Sequence, residues 1–398
     1  MKRLCPKNAP VVAIAAAAGL ALAACAVPPP AAPLPERGVL FLRLGPDTMF
    51  VERFELTRDR LYVESVVRTP RVIFRTFDAP LNADGSFAAV RIAAFDAANP
   101  RGPARDSATI TFSADSTFYA LGIGDGKESL RRPGRGDYVL SFPGNVTFLN
   151  HLLLAARATR AIGDSLTGTM TSRIGSFPLL VKRVAPDTVT VFAQLAGLMR
   201  VVLGADGKVV GLDGTGSSLG YIGTRASWID IDSVARAFAE QERRAGPTGS
   251  LSLRDTVVAE IGGARLVVDY GRPSKRGRAI FGNVVPFDRI WRTGANLATH
   301  FITDRPLDFN GVPLPEGAYT LHTIPRPDGW TLLVSSQTGQ WGSVAPDPER
   351  FVARIPMRLS RAASVVETFT IAVDSRAIGG VLRMEWDDAV AEASFVVR

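Results

Sequence analysis

The sequence predicts an all-β protein of two antiparallel β domains that are joined by a short helix. Apolar and polar residues alternate along many segments, and turns rich in Gly and Asp separate those segments. Only two segments place apolar residues at helical spacing. A chain of 398 residues, 46% of them hydrophobic, is long enough for two cores.

The N-terminus has the layout of a bacterial export signal. Three cationic side chains precede an uncharged run, Val11 to Ala24, which is too short to span a membrane comfortably. The run ends in "LAAC", which resembles the lipoprotein signal whose cysteine receives a diacylglyceryl group. We expect a signal peptide over residues 1–24 and a palmitate-type lipid anchor on Cys25, with a plain secretory signal as the alternative. The residue after the cysteine is Ala26, so the acidic retention signal is absent. This absence favours a location at the outer membrane, facing the periplasm.

Cysteine content and charge restrict the function further. The two cysteines are Cys5, in the predicted signal, and Cys25, so the mature chain would have no thiol for a disulfide, a nucleophile or a zinc site. The net charge of +8 includes three charges of the signal, and the remaining excess does not require a specific partner. We expect a membrane partner through the lipid anchor and no nucleic acid, because the N-terminus predicts export.

The predicted first domain follows a Pro-rich stalk, residues 25–37, that favours extended polyproline II. Residues 38–229 are predicted to form a meander of long antiparallel strands, or half-barrel, because apolar residues alternate with polar ones between turns such as Asp84-Gly85. A helix over residues 148–162 interrupts this pattern and is expected to cover or plug one side of the sheet. The arrangement is loosely similar to half-barrels that carry lipids or lipoproteins, so a periplasmic carrier is one alternative function.

A linker helix is predicted over residues 230–246, opening after Asp232 and closing at Gly246-Pro247. The second domain, residues 249–398, contains four of the five tryptophans and many short strand candidates between Gly/Pro turns. This pattern predicts a β-sandwich, similar to a jelly roll. The strand candidates are Arg265 to Asp269, Ala298 to Thr303, Ala318 to Ile324, Trp330 to Ser335, Thr368 to Val373, Val381 to Trp386 and Ala393 to Val397.

Catalytic and metal motifs are weak in this sequence. Ser218 stands in a G-x-S-x-G motif, but no helix follows it, so a loop is favoured over a nucleophile elbow. The three histidines are isolated and predict no metal site, and we expect no cofactor. One open alternative is a hydrolase or lyase in which His300 or His322 acts with Asp304, Glu316 or Arg292.

The richest candidate cluster lies in "YGRPSKRGRAIFG" and the "WRTGAN" that follows. Arginine forks bind carboxylates or phosphates in a bidentate manner, and tryptophan faces stack on sugars. The alternative is equally open: the arginines pair with internal acids and carbonyls, and the tryptophans are core. The residues predicted to bind a ligand are Arg272, Arg278, Trp291, Arg292, Asn296, His322 and Trp341.

Several separated motifs agree in order with one family. The stretch "DYGRPSKRGRAIFGNVVPFDRIWRTGANLATHF", then "LPEGAYTLHTIP", "WTLLVSSQTGQWG" and "LRMEWDDAVAEASFVV", resembles the bacterial domain-of-unknown-function family 2911, found in secreted proteins. The resemblance covers roughly residues 250–398 and implies no settled activity. Phe287, His322 and Ser335 depart from the family pattern, where tyrosine, a larger aromatic residue and asparagine are expected.

These observations favour a lipid-anchored envelope protein that binds an anionic or carbohydrate-like ligand through its second domain and performs no chemistry. The hydrolase or lyase and the carrier are the alternatives.

Overall fold

The computed structural model describes residues 35–139, 159–172, 175–193, 197–217, 220–249, 251–342 and 344–398. These residues form two largely antiparallel sheets and one α-helix. The predicted signal peptide, Cys25 and nearly all of the stalk lie outside them. Residues 148–158 of the predicted helix and Ser218 lie outside them as well.

Fifteen strands of the described residues form the first sheet. They are β1 (Glu36–Leu44), β2 (Asp47–Leu56), β3 (Arg60–Val67), β4 (Ile73–Pro80), β5 (Ala89–Asp96), β6 (Asp106–Phe112), β7 (Ser116–Ile123), β8 (Gly126–Pro133), β9 (Tyr138–Val139), β10 (Ser165–Ser172), β11 (Gly175–Ala185), β12 (Thr188–Ala193), β13 (Gly197–Leu203), β14 (Val209–Asp213) and β15 (Ile222–Ala226). Neighbours in sequence pair along β1 to β8 and along β9 to β15, and β1 pairs with β15. The pairings are antiparallel except for β9 with β10.

The first sheet curls until its two ends meet, which makes it nearly a barrel. The Tyr119 hydroxyl on β7 donates to Thr171 Oγ1 on β10 at 2.8 Å, and this bond is buried. The Gly136 amide, just before β9, donates to Thr117 Oγ1 on β7 at 2.9 Å. Alternation along each strand turns every second side chain inward, so the inner face carries one continuous apolar core.

The helix between the sheets packs on the outer face of the first sheet. It is α1 (Ile231–Ala245), within the predicted range 230–246, and its N-cap is Asp230 rather than Asp232. The Asp230 carboxylate accepts the Asp232 amide at 3.1 Å. Ile231 and Ala235 are buried against outward-facing apolar residues of β1 to β4.

None of the helices among the described residues is long and apolar enough to cross a membrane.

Nine strands of the described residues form the second sheet. They are β16 (Ser252–Ile261), β17 (Ala264–Pro273), β18 (Thr299–Thr303), β19 (Leu307–Phe309), β20 (Val312–Leu314), β21 (Gly317–Ile324), β22 (Trp330–Ser335), β23 (Phe351–Ser375) and β24 (Gly380–Val397). A 3₁₀ turn, Pro348–Arg350, precedes β23. The spatial order is β16-β17-β18-β21-β22-β23-β24-β19-β20, so the β19–β20 hairpin crosses to the far end of the sheet.

The second sheet folds over a core rich in aromatic residues. Tyr270 on β17 bridges the layers, because its hydroxyl accepts the Ile371 amide of β23 at 2.9 Å. The ring of Tyr270 also packs edge-on against Phe369. The prediction of an all-β protein with two antiparallel β domains is therefore confirmed.

The structure corrects the sequence interpretation in three places. β16 was not predicted, because its N-terminal half is polar and its outer face is exposed. β23 runs over 25 residues, and only its apolar end had a strand pattern. Residues 159–162 are not helical: the Asp164 carboxylate accepts the amides of Arg160 and Ala161 at 2.9 and 2.7 Å, which fixes a turn.

Glu52 gives the first sheet a testable pH response. It lies on β2 between the inner-core residues Phe50 and Phe54, is 1% exposed, and burial raises its pKa to about 8. The unfolded chain ionises Glu52 near the ordinary pKa of 4.5, whereas the folded chain resists ionisation up to about pH 8. The stability linked to this carboxyl is present below pH 4.5 and is lost as the pH rises to about 8.

We expect Glu52→Gln to remove this loss, so the free energy of unfolding should fall less between pH 4.5 and pH 8 than in the wild type. Urea denaturation at several pH values measures the difference, and Glu55→Gln, on the same strand but partly exposed, is the control. Parallel curves for the wild type and Glu52→Gln would contradict the prediction.

Candidate functional site

Arg272, the first arginine of the cluster, has internal partners. Its guanidinium forms an ion pair with Asp255 on β16 at 2.9 Å. It also donates to the Phe369 carbonyl at 3.3 Å and to Thr370 Oγ1 at 3.1 Å, both on β23. Arg272 therefore joins three strands, and these bonds occupy its fork.

Arg276 lies in a turn that meets the first domain. Its φ of 47° is left-handed, and its amide donates to the Glu367 carboxylate at 2.7 Å. Its guanidinium lies 3.9 Å from the carboxylate of Asp47, the first residue of β2. Gly45 approaches so closely that a Cβ there would lie 2.3 Å from the Arg276 carbonyl oxygen. The turn is thus part of the junction between the two domains.

Arg278 is packed into the same junction. It donates to the carbonyls of Ser274 and Lys275 at 2.5 and 3.0 Å, which closes the turn on itself. Its Cδ lies against Gly220 of the first domain. Burial lowers the pKa of Arg278. Arg272 and Arg278, both predicted to bind a ligand, are therefore engaged within the protein.

Trp291 lies in the core of the second domain. It is 9% exposed, stacks on Trp386 at a centroid distance of 5.9 Å, and meets Phe369 edge-on at 5.0 Å. Its amide and carbonyl form reciprocal hydrogen bonds with Thr323 at 2.7 and 3.0 Å. The indole face is therefore not available for stacking on a sugar.

The segment after Trp291 is a shaped loop. Thr293, Gly294 and Asn296 all have positive φ values, of 53°, 146° and 62°. The loop backbone rests on β17 at Gly271, where a Cβ would lie 2.1 Å from the Ala295 carbonyl oxygen. Only glycine at position 271 allows this approach, which gives the "YGRP" and "WRTGAN" motifs a common structural reason.

Arg292 points away from the core. Because side chains alternate along a strand, the pairing of Trp291 with Thr323 turns Arg292 to the opposite face of the sheet. Its Cδ packs against Gly342, where a Cβ would lie 2.9 Å away. No hydrogen bond or ion pair joins the guanidinium to any residue in the described ranges. Burial without a counter-charge lowers the pKa of Arg292 to about 10.

His322 lies on the same face as Arg292. The register that pairs Trp291 with Thr323 places Arg292 opposite His322. His322 is 1% exposed, its ring meets Phe351 edge-on at 6.1 Å, and burial lowers its pKa to about 4. Its Nδ1 has no hydrogen-bond partner among the described residues.

The segment 336–342 covers this face of the sheet. The Gly339 amide donates to His300 Nε2 at 3.1 Å, and Gln340 Nε2 donates to Thr320 Oγ1 at 3.3 Å. In the described part of the chain, the Oε1 atoms of Gln337 and Gln340 are buried without a partner. The face therefore combines an unpaired cation with three unsatisfied polar atoms.

Asn296 and Trp341 border the same segment. The Asn296 carbonyl accepts the Gly342 amide at 2.9 Å, while its side chain is exposed. Trp341 is half-buried, and its backbone forms a bridge with Leu297. Of the residues predicted to bind a ligand, Arg292, Asn296, His322 and Trp341 are thus brought together, whereas Arg272, Arg278 and Trp291 have other roles.

The hydrolase or lyase alternative needs a histidine within hydrogen-bond reach of a carboxylate. Neither His300 nor His322 hydrogen-bonds to a carboxylate of the described residues. Asp304 instead accepts the Arg265 amide at 2.7 Å. Within the same ranges, no group of three or more His, Cys, Asp and Glu residues is placed to hold a metal ion.

Residues 252–395 match the family model described as a protein of unknown function, DUF2911. The second domain is a DUF2911 domain. Searches of curated proteins and of solved structures gave no significant match to the chain. The family match covers the second sheet except for the last two residues of β24. It supports the resemblance of the "YGRP", "WRTGAN" and "QWG" motifs, which converge around Arg292.

Sequence reasoning did not single out Gln337, and it treated Gly342 only as part of a motif. Both lie in "SSQTGQWG", which directly follows the buried strand β22. Polar residues and glycines that follow a buried strand are a signal for a loop that covers a site. That signal gives the location of the segment but not its contacts.

The contact between Gly271 and the loop predicts the effect of a methyl group. Gly271→Ala should destabilise the protein by about 2–4 kcal/mol, because the clashing atom belongs to backbone and cannot rotate away. Gly329→Ala is the matched control, since the nearest atom to its Cβ would be the Met357 carbonyl oxygen at an ordinary 3.6 Å. Denaturant unfolding measures both variants, and equal stabilities would disprove the proposed close contact.

Proposed function

We propose that the DUF2911 domain binds a small anionic ligand at Arg292, in a protein held at the cell envelope by a lipid on Cys25. The observation that carries the proposal is the guanidinium of Arg292, which belongs to a partly buried residue and has no partner among the described residues. Burying an unpaired charge costs several kcal/mol. A carboxylate, sulfate or phosphate would remove this cost through a bidentate interaction.

Anion binding is better supported than sugar stacking. Trp291 is enclosed by other aromatic rings, which leaves Trp341 as the half-buried tryptophan beside the site. Asn296 adds an exposed amide at the rim. A sugar acid would still combine both features of the predicted ligand, because it carries a carboxylate on a carbohydrate ring.

Binding is also better supported than catalysis. The described residues provide a cation and neutral polar groups around His322, but no carboxylate hydrogen-bonded to a histidine. General acid–base chemistry needs such a proton-transfer partner within reach of the substrate. A site with a cation and no such pair is suited to holding an anion.

The proposal predicts a clear effect of Arg292→Gln. In a thermal-shift screen with phosphate, sulfate, citrate, glucuronate and glycerol phosphate, the ligand that stabilises the wild type should stabilise Arg292→Gln much less. We expect its dissociation constant to rise at least about tenfold, as for the loss of a charged hydrogen bond. The matched control is Arg289→Gln, which removes an exposed arginine three residues away.

The stability of the unliganded variant separates binding from a structural role. Because Arg292 is a partly buried cation without a partner among the described residues, Arg292→Gln should be as stable as the wild type or more stable. Marked destabilisation, or equal ligand shifts in wild type and variant, would contradict the proposed function.

The lipid anchor has its own test. In bacteria that express the full chain with labelled palmitate, the wild type should incorporate label and sediment with membranes, while Cys25→Ser should do neither. Cys5→Ser is the control, because Cys5 lies within the predicted signal. Incorporation of label into Cys25→Ser would exclude this residue as the anchor.

A further inference from the structure

His322 lies in a row of side chains that crosses four segments of the second domain. Strand pairing places Leu333 next to His322, and Arg354 next to Leu333, on the same face of the sheet. The bridge between Trp291 and Thr323 places Arg292 on the other side of His322. Directly opposed residues have Cβ atoms about 5 Å apart. His322 therefore has an arginine at each end of its row.

The groups that face His322 from the neighbouring elements are cationic or neutral. The loop 291–298 contributes Arg292, and β23 contributes Arg354. β18 contributes His300, which pairs with Thr320, two residues before His322 on the same face. β22 contributes Leu333 and the buried Ser335. The covering segment contributes the amides of Gln337 and Gln340.

None of these facing groups is a carboxylate. Asp269, which lies beside His300, is already paired with Arg254 at 2.7 Å. His322 thus has a buried nitrogen, Nδ1, without a partner in the described part of the chain, in surroundings that repel a second proton.

We infer that His322 is a second cationic group of the anion site, so that a bound anion lies between Arg292 and His322 and brings a proton onto the imidazole. The inference rests on the proposed function, because it needs an anion at Arg292. It adds a residue and a proton to that site.

The reason is electrostatic. In the free protein, burial keeps the imidazole neutral down to about pH 4, and the neighbouring arginines add no attraction for a proton. An anion placed beside Nδ1 stabilises the charged imidazolium and raises its pKa. Between the free and bound pKa values, binding takes up a proton, so affinity rises as the pH falls, by up to about tenfold per pH unit for one proton.

Isothermal titration calorimetry with sulfate tests the inference, because sulfate does not titrate between pH 4.5 and pH 8. The protein is the full mature chain carrying Cys25→Ser to keep it soluble. Titrations at pH 7.5, 6.5 and 5.5, each in two buffers of different ionisation enthalpy, give the affinity and the number of protons taken up.

We expect sulfate to bind the wild type more tightly at pH 5.5 than at pH 7.5, with proton uptake at the lower pH. His322→Gln should bind with an affinity that varies little with pH and should take up no proton. Arg289→Gln is the control, because it removes an exposed arginine three residues from Arg292, and it should behave like the wild type.

A second measurement guards against a variant that fails to fold. The ring resonances of the three histidines can be followed in the wild type by NMR, with assignments from the His300 and His151 variants. The pKa of His322 should rise when sulfate is added.

The outcomes separate the two proposals. Sulfate binding that depends on Arg292 but shows no proton uptake, with an unchanged His322 pKa, overturns the role of His322 and leaves the anion site standing. Absence of sulfate binding at every pH overturns the role of His322 for oxyanions of this class, and the ligand screen with Arg292→Gln then decides the proposed function independently.

Discussion

The reciprocal hydrogen bonds between Trp291 and Thr323 are the constraint on which the candidate site depends. They fix the pairing of the two backbones, so the side chains of Trp291 and Arg292 point to opposite faces of the sheet. Trp291 enters the aromatic core against Trp386 and Phe369. Arg292 must then leave on the other face, where no described residue pairs with it. The packing of Trp291 in the core therefore fixes the position of the Arg292 guanidinium.

The same constraint explains how an unfavourable charge is tolerated. Burying a large aromatic side chain contributes about 2–3 kcal/mol, and the rings around Trp291 form a connected cluster. This stabilisation offsets the desolvation of Arg292. Glycines at 271 and 342 then let the loop and the covering segment close around the arginine. A cation kept in such a position by the fold around it is what a preorganised anion site requires.

Sequence patterns predicted the fold class well because alternation and turns are local properties. They located the arginine-rich cluster of the second domain. They could not tell which arginines have internal partners, because those partners lie far away in the chain. Arg272 is satisfied by Asp255 and by β23, almost one hundred residues later. Arg278 is buried by the other domain. The pairing of Trp291 with Thr323 distinguishes Arg292 from these neighbours. An isolated bridge of this kind leaves no periodic pattern in the sequence, so it could not be predicted.

The arginines of "YGRPSKRGRAIFG" also connect the site to the domain junction. β17 supports the "WRTGAN" loop at Gly271 and continues into the turn that carries Arg276 and Arg278. That turn packs against Gly45 and Gly220 of the first domain. Removing the first domain would expose the aliphatic part of the Arg278 side chain and one side of this turn. The turn lies only a few residues from Gly271, which supports the "WRTGAN" loop. The second domain excised alone would therefore lose part of the scaffold that holds Arg292, so binding is best measured on the intact two-domain protein.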